Sequence, residues 1–378
     1  PPYGARGWDQ FVALVGEDPV AISTPPLVRE GHLCPYQDLV WPVLVELDEL
    51  PQLQAVDAAL RAAESALAER MGTWTTTRLR EDLWTLTEAR FTKQEGLLVA
   101  LCRRQHMLGR ALPSDLPMDP ELIAPLTLHD RALLLWHFGA HHSPSLPIVR
   151  TALQGAGFRL GRHGPLQRQD HAFSSLAATT TRVRGSLDVL AMEHRSRGDG
   201  LRALLLTDRD VEGDRLSARQ VLRALVRDPR TDLLDPILVT GTVFWVDNDL
   251  YARIASRLPE LPWEDRGDHH EIETAGWQSA DRVALATKLL SEGITQCLVG
   301  TRHLLGEGWD CPAVNCVIDL TGISTFVTVN QIRGHALRID PTDPSKVASL
   351  WEVLAMAPGV SGGDRMLSKL QERHASTL

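Results

Sequence analysis

The chain has 378 residues, 43% of them hydrophobic and 23% charged, with 39 basic against 48 acidic residues and a net charge of -9. This is globular composition with room for two or three domains, and it argues against holding nucleic acid by bulk positive charge while leaving room for a local basic track. No apolar run approaches the roughly 18 residues of a membrane span, and five cysteines without a CxxC pair support neither a disulfide scaffold nor a zinc finger, so a reducing, cytoplasmic setting with no membrane partner is expected.

The first residues, PPYGARG, carry neither an initiator Met nor a signal-peptide pattern and are expected to begin a fragment of something longer. Residues 1–50 mix short apolar pieces with Pro25, Pro26, Pro35 and Pro42 and read as a linker or docking segment, with a strand-like run from Leu39. From 51 to 195 the pattern turns helical. Leu53, Val56, Leu60, Ala63 and Leu67 recur every three or four residues after Pro51, the stripe of an amphipathic helix. Further helical pieces are expected around 79–90, 94–108, 119–138 and 167–195, which makes the block an all-helical module.

SRGDGLR at 196–202 marks a boundary, beyond which four short apolar runs appear: ALLLT (203–207), PILVT (236–240), TQCLVG (295–300) and NCVIDL (315–320). Such runs are the mark of strands buried on both faces of a parallel sheet. Amphipathic helices lie between them, one with Leu216, Val221, Leu222 and Leu225, the other with Val283, Leu285, Leu289 and Leu290. Strands followed by helices make βαβ crossovers. The expected class over 196–352 is therefore α/β, a parallel sheet with flanking helices, with 353–378 as a tail or truncated continuation.

The stretch 295–338 carries the most chemistry. Its first strand ends at Gly300-Thr301, at the carboxyl edge where α/β sheets place ligands. Gly306-Glu307-Gly308 follows, a loop whose backbone can approach a phosphate or ribose, and Asp310 comes next beside Trp309. After the second strand stand Gln331, Gly334, His335 and Arg338, with Arg338 one helical turn beyond Gly334. An arginine there suits bidentate contact with phosphate oxygens. Each piece taken singly also fits a plain loop or a surface arginine.

As an ordered set they resemble a family. VGTRHLLGEGWDCPAVNCVIDL (299–320) resembles motif V, and NQIRGHALR (330–338) motif VI, of superfamily 2 helicases, in the group of repair helicases and type III restriction-like DNA translocases. LLLTD at 204–208 falls where motif IV is expected, and VREGHLCPYQDLVW (28–41) resembles the crossing from the first motor domain to the second. The resemblance spans roughly 28–50 and 200–350 and implies a RecA-like second motor domain, with the helical block as an insertion. It implies ATP and Mg²⁺ bound mainly by a first motor domain, and DNA as the polymer. Gln331 and Arg338 would reach ATP, Arg338 as an arginine finger, with His335 between them. Gly308, Asp310 and Gly334 would lie near the nucleotide. Thr207, Thr240, Gly300, Thr301, Arg302 and Gln278 would touch the strand. The helical block could bind DNA or further protein subunits.

Two departures stand out. The family pattern Gln-x-x-Gly-Arg-x-x-Arg has its first arginine replaced by His335, which is shorter and usually neutral. A natural weakening, a placed substitution and reliance on Arg338 alone are all compatible with that. There is also no G-x-x-x-x-G-K-[ST] loop, since none of the four lysines follows a glycine. Half of the active site is expected in this chain, and no meaningful hydrolysis by it alone. A different class of reading comes from LLLTDRDVEGDRLS (204–217), where Asp208, Asp210 and Glu212 resemble the acidic Mg²⁺ loop of Toprim domains. The plainer reading is an acidic turn capping the next helix. A non-catalytic helical interaction module is the third possibility.

Overall fold

The computed structural model describes residues 24–46, 49–81, 95–114, 116, 122–156, 158–161, 164–167, 173–210, 216–256, 261–272, 278–305, 309–321, 333–364, 366–368 and 370. The chain divides into two compact units, one made of the residues up to Val43 with Thr179–Leu354, the other of Leu44–Ala178 with the stretch from Ala355.

The first unit is built on a nine-stranded sheet in the order β1-β11-β10-β4-β9-β5-β6-β8-β7. Its strands are β1 (Tyr36–Leu44), β4 (Ala203–Thr207), β5 (Ile237–Val239), β6 (Phe244–Val246), β7 (Trp263–Asp265), β8 (His270–Ile272), β9 (Cys297–Thr301), β10 (Cys316–Asp319) and β11 (Ala348–Met356). β11, β10, β4, β9 and β5 are parallel neighbours. The β6, β8 and β7 extension is antiparallel. The class is α/β with flanking helices, as expected for a RecA-like domain, and the sheet is mixed where a parallel one was expected.

Burial explains the register. Every residue of β4 and β9 is buried, and alternate side chains enter two different cores. Leu204, Leu206, Leu298 and Val317 pack with Ala286, Leu289 and Leu290 of one flanking helix. Ala203, Leu205, Val299 and Ile318 pack with Val189, Leu190, Val221, Leu222 and Leu225 on the opposite face. Each fully buried Leu or Val adds about 1.5–3 kcal/mol, and a one-residue slip would exchange the two sets.

The second unit is mainly helical: α1 (Glu49–Ala66), α2 (Ala68–Glu81), α3 (Glu95–Met107), α4 (Leu128–His141) and α5 (Leu146–Gly155). Leu60, Ala63 and Leu67 of the predicted stripe enter its core with Met71, Leu101, Leu134, Leu135 and Phe138, while Leu53 packs with Val45. This unit also contains a hairpin, β2 (Phe158–Gly161) with β3 (Gly164–Gln167). Gly161 and Gly164 form its last described pair. A buried ionic group ties three helices: Arg103 on α3 to Asp130 on α4 at 2.7 Å, and Glu64 on α1 to Arg104 at 2.9 Å and Arg131 at 2.6 Å.

Of the remaining helices, α6 (Phe173–Arg197) belongs from Thr179 onward to the sheet unit, followed by α7 (Ala218–Arg227), α8 (Asn248–Ile254) and α9 (Ser279–Ser291). Gly185 lets α6 lie close to the sheet: a Cβ there would stand 2.5 Å from Val43 and 2.6 Å from Val353. Glu193 of α6 accepts hydrogen bonds from Trp351 Nε1 at 2.7 Å and Arg197 Nε at 2.6 Å. Among the described residues no helix is long and apolar enough to cross a membrane.

Candidate functional site

Because the central strands are parallel, their carboxyl ends share one edge. Thr207 pairs with Thr301, and Gly300 with Val239, so that Thr207, Thr240, Thr301 and the residues after them are neighbours. Gly300 has a steric reason to be glycine: a Cβ would collide with Leu305 of the short helix Arg302–Leu305 and stand 3.3 Å from the Val239 carbonyl oxygen. Thr207 is buried and its hydroxyl donates to the Arg209 carbonyl at 2.9 Å. Arg302 lies with Nε 3.5 Å from Asp208.

Asp210 organises the neighbouring turn. It accepts from Thr240 Oγ1 at 2.9 Å, Thr242 Oγ1 at 2.6 Å and Arg219 Nε at 3.1 Å. Burial pushes its carboxyl upward, but the hydrogen bonds from Thr242, Arg219 and Thr240 together outweigh that and hold it below its ordinary value. The same turn is tied to α9, where the buried Arg282 donates to the Gly241 carbonyl. Gln278 is the exposed N-cap of α9, its backbone N–H donating to Asp281 at 3.0 Å, one helical turn before Arg282. The strand-contact residues expected from the sequence are therefore either on this edge or at the start of the helix bonded to it.

In the described part of the acidic loop the carboxylates have protein partners: Asp208 lies beside Arg302, and Asp210 accepts from two hydroxyls and the Arg219 guanidinium. Glu193 is engaged on α6, Glu212 lies outside the described residues, and no cluster of three metal-ligating side chains exists among the described residues.

The second cluster joins the two segments that resemble motifs V and VI. Arg338 Nη1 and Asp310 Oδ1 are 2.6 Å apart, with side chains 45% and 55% exposed. Beneath them Trp309 packs on His335 at 5.1 Å between ring centroids and donates Nε1–H to Thr287 Oγ1 of α9 at 2.8 Å. His335 is 4% exposed, and neither ring nitrogen has a hydrogen-bond partner among the described residues. Gly334 stands in open space. Gln331 and Gly308 lie outside the described residues.

Burial first, then the charge of Arg338, partly offset by Asp310, holds His335 down to about 4. The unfolded chain, with an ordinary histidine value near 6.5, takes a proton in that window while the folded chain does not. Stability is therefore lost as pH falls from 6.5 to 4, by roughly 3 kcal/mol for this group. His335→Leu is expected to flatten that limb, as urea melts of both forms at pH 7 and 4.5 will show. His137 of the helical unit, also held to about 4, titrates in both forms and cancels in the difference.

Arg219, Arg282 and Lys346 were not singled out by sequence. Buried charges have no periodic signature; the one usable signal was Arg282, four residues after Gln278 on a helix whose neighbouring turns face the core.

No protein-family model and no curated protein sequence matches the chain. Among solved structures, it is similar to the Hef helicase domain of Pyrococcus furiosus, with 12% identity and a TM-score of 0.40 over 97% of this chain and 64% of that one. It is also similar to the C-terminal part of the Fun30 ATPase domain, with 10% identity and a TM-score of 0.38 over 89% of this chain and 90% of that one. The chain thus spans less than two thirds of the Hef helicase domain.

Proposed function

We propose that this chain supplies the second motor half of an ATP-dependent DNA helicase or translocase. The observation that carries the reading is the Asp310–Arg338 pair at 2.6 Å, which unites the two stretches that resemble motifs V and VI. A half-exposed guanidinium held by one carboxylate can exchange that partner for a phosphate oxygen. The absence of a phosphate-binding loop with its lysine from the sequence assigns most nucleotide contacts to another domain. ATP, when bound there, supplies the γ-phosphoryl group. Arg338 stabilises the charge that develops on it, Asp310 keeps Arg338 aimed while no phosphate is near, and His335 serves as neutral packing under the pair. The carboxyl edge holds the strand backbone through Thr207, Thr240, Gly300, Thr301 and Arg302, with Gln278 beside it.

Single-stranded DNA binding by this chain tests the second half of the reading. Arg302→Ala is expected to weaken binding and to reduce the slope of log K against log salt by about 0.7, the signature of one lost phosphate contact. An unchanged slope, or no binding by the unsubstituted chain at low salt, would overturn it.

A further inference from the structure

Lys346 has no place in the reading above, yet its surroundings are more fully built than those of Lys288, the other lysine among the described residues. Only four lysines stand among 39 basic residues, and this one is 4% exposed. Burial lowers its pKa, against the opposing influence of the Cys34 thiol, Asp340 and the Cys311 thiol. Its Nζ donates to the Pro312 carbonyl at 2.6 Å and to the Arg338 carbonyl at 2.7 Å. The first carbonyl lies two residues after Asp310, and the second belongs to Arg338 itself. One ammonium therefore bridges the backbones that carry the two members of the Asp310–Arg338 pair.

The loop that delivers Lys346 is built for that purpose. In Asp340-Pro-Thr-Asp-Pro-Ser-Lys346, Asp340 accepts from Thr342 N at 2.8 Å and Thr342 Oγ1 at 2.7 Å. Asp343 repeats the arrangement with Ser345 N at 3.0 Å and Ser345 Oγ at 2.6 Å. Side-chain-capped turns of this kind, with prolines fixing φ, hold a loop in one conformation. The Lys346 N–H then donates to the Asp343 carbonyl at 3.2 Å, just before β11 begins. Lysine suits the position better than arginine, since a compact ammonium with three donors can serve two carbonyls where a planar fork is shaped for one carboxylate or phosphate.

We propose that Lys346 is a positioning residue for Arg338, a clamp that fixes the distance between the 309–312 loop and the end of the 333–338 segment and so aims the guanidinium. This rests on the motor reading. A displacement of about 1 Å at a reacting centre can cost on the order of 10²-fold in rate, so a clamp of this kind acts on turnover more than on binding.

The test is a double-mutant cycle in the complete motor, this chain together with its first motor domain. Lys346→Met is expected to lower ATP turnover by about 10²-fold with KM for ATP and single-stranded DNA affinity unchanged. The Lys346→Met/Arg338→Ala pair should be no slower than Arg338→Ala alone, because the lysine acts only through the arginine. A general structural defect would instead add to the Arg338→Ala loss, and that result overturns the proposal, as does full turnover in a folded Lys346→Met protein. Lys346→Gln, which keeps an N–H donor at shorter reach, replaces Lys346→Met if thermal melts show the latter unfolded, with the same expectations. If Arg338→Ala leaves turnover untouched, the motor reading has failed rather than the clamp.

Discussion

Replacing Arg338 by alanine is expected to lower ATP turnover of the complete motor by about 10³-fold or more, within the range that arginine fingers supply in phosphoryl transfer. The size follows from where the charge sits. Arg338 is 45% exposed and, among the described residues, paired with a single carboxylate, so its removal takes little from the fold: exposed ion pairs contribute about 0–1 kcal/mol. On the proposed motor reading the same guanidinium would face the oxygens of the transferring phosphoryl group, where a preorganised cation is worth far more. The contrast between a nearly silent stability change and a large kinetic one is the distinguishing result. Steady-state hydrolysis alongside thermal melts of the same preparations measures both. A melt lowered in proportion to the activity would assign Arg338 a structural role instead.

The largest stability effect is expected at Asp130→Ala in the helical unit. Asp130 is buried, receives Arg103 at 2.7 Å, and caps its own helix: its carboxylate accepts the Thr127 N–H at 2.8 Å while Thr127 Oγ1 accepts the Asp130 N–H at 3.1 Å. Arg103 is 2% exposed. Removing the carboxylate takes a charged partner from the buried Arg103, at a cost of about 3 kcal/mol, the lower end for breaking a buried pair, and the lost cap adds roughly 1 kcal/mol. Against a typical 5–15 kcal/mol for a domain that is enough to unfold much of the unit. Urea unfolding followed by amide exchange within α3 and α4 should show the loss there, while β4 and β9 keep their protection. An effect below 1 kcal/mol would mean that the other contacts of Arg103 suffice to hold its charge.

What the sequence made legible follows from how each element is stabilised. β4, β9 and β10 were readable because strands packed on both faces must be apolar almost throughout, and ALLLT and NCVIDL have no other use for so many aliphatic residues. β6, β7 and β8 were not readable. Each is three residues long, too short to show a period; β6 is apolar and buried throughout but brief, while the Glu264-Asp265 end of β7 is exposed and carries no apolar signal either. The mixed sheet was missed for that reason alone. The stripe of α1 was readable since Leu53, Leu60 and Ala63, with Leu67 just past its end, are all buried.

At the candidate site the residue types were legible and their pairings were not. Spacing put Asp310 and Arg338 in separate segments; Lys346, whose ammonium bonds to the backbone beside each of them, lies in a loop that the sequence presents as a polar turn. Likewise His335 could be compared with an arginine by type, but its burial against Trp309 is a property of packing. The Asp210 turn shows the same limit. The alternation of carboxylates resembled an ion site, and only the hydroxyls of Thr240 and Thr242, from a distant part of the chain, show that its partners are already present.

Steady-state ATP hydrolysis by the complete motor, with and without single-stranded DNA, tests the central claim most directly, with the His335 form measured beside His335→Arg. Arg338 is accessible and aimed by Asp310, whereas His335 is buried packing. DNA-stimulated hydrolysis by the His335 form itself is therefore expected. No hydrolysis by either form, with the first motor domain present and folded, would contradict it.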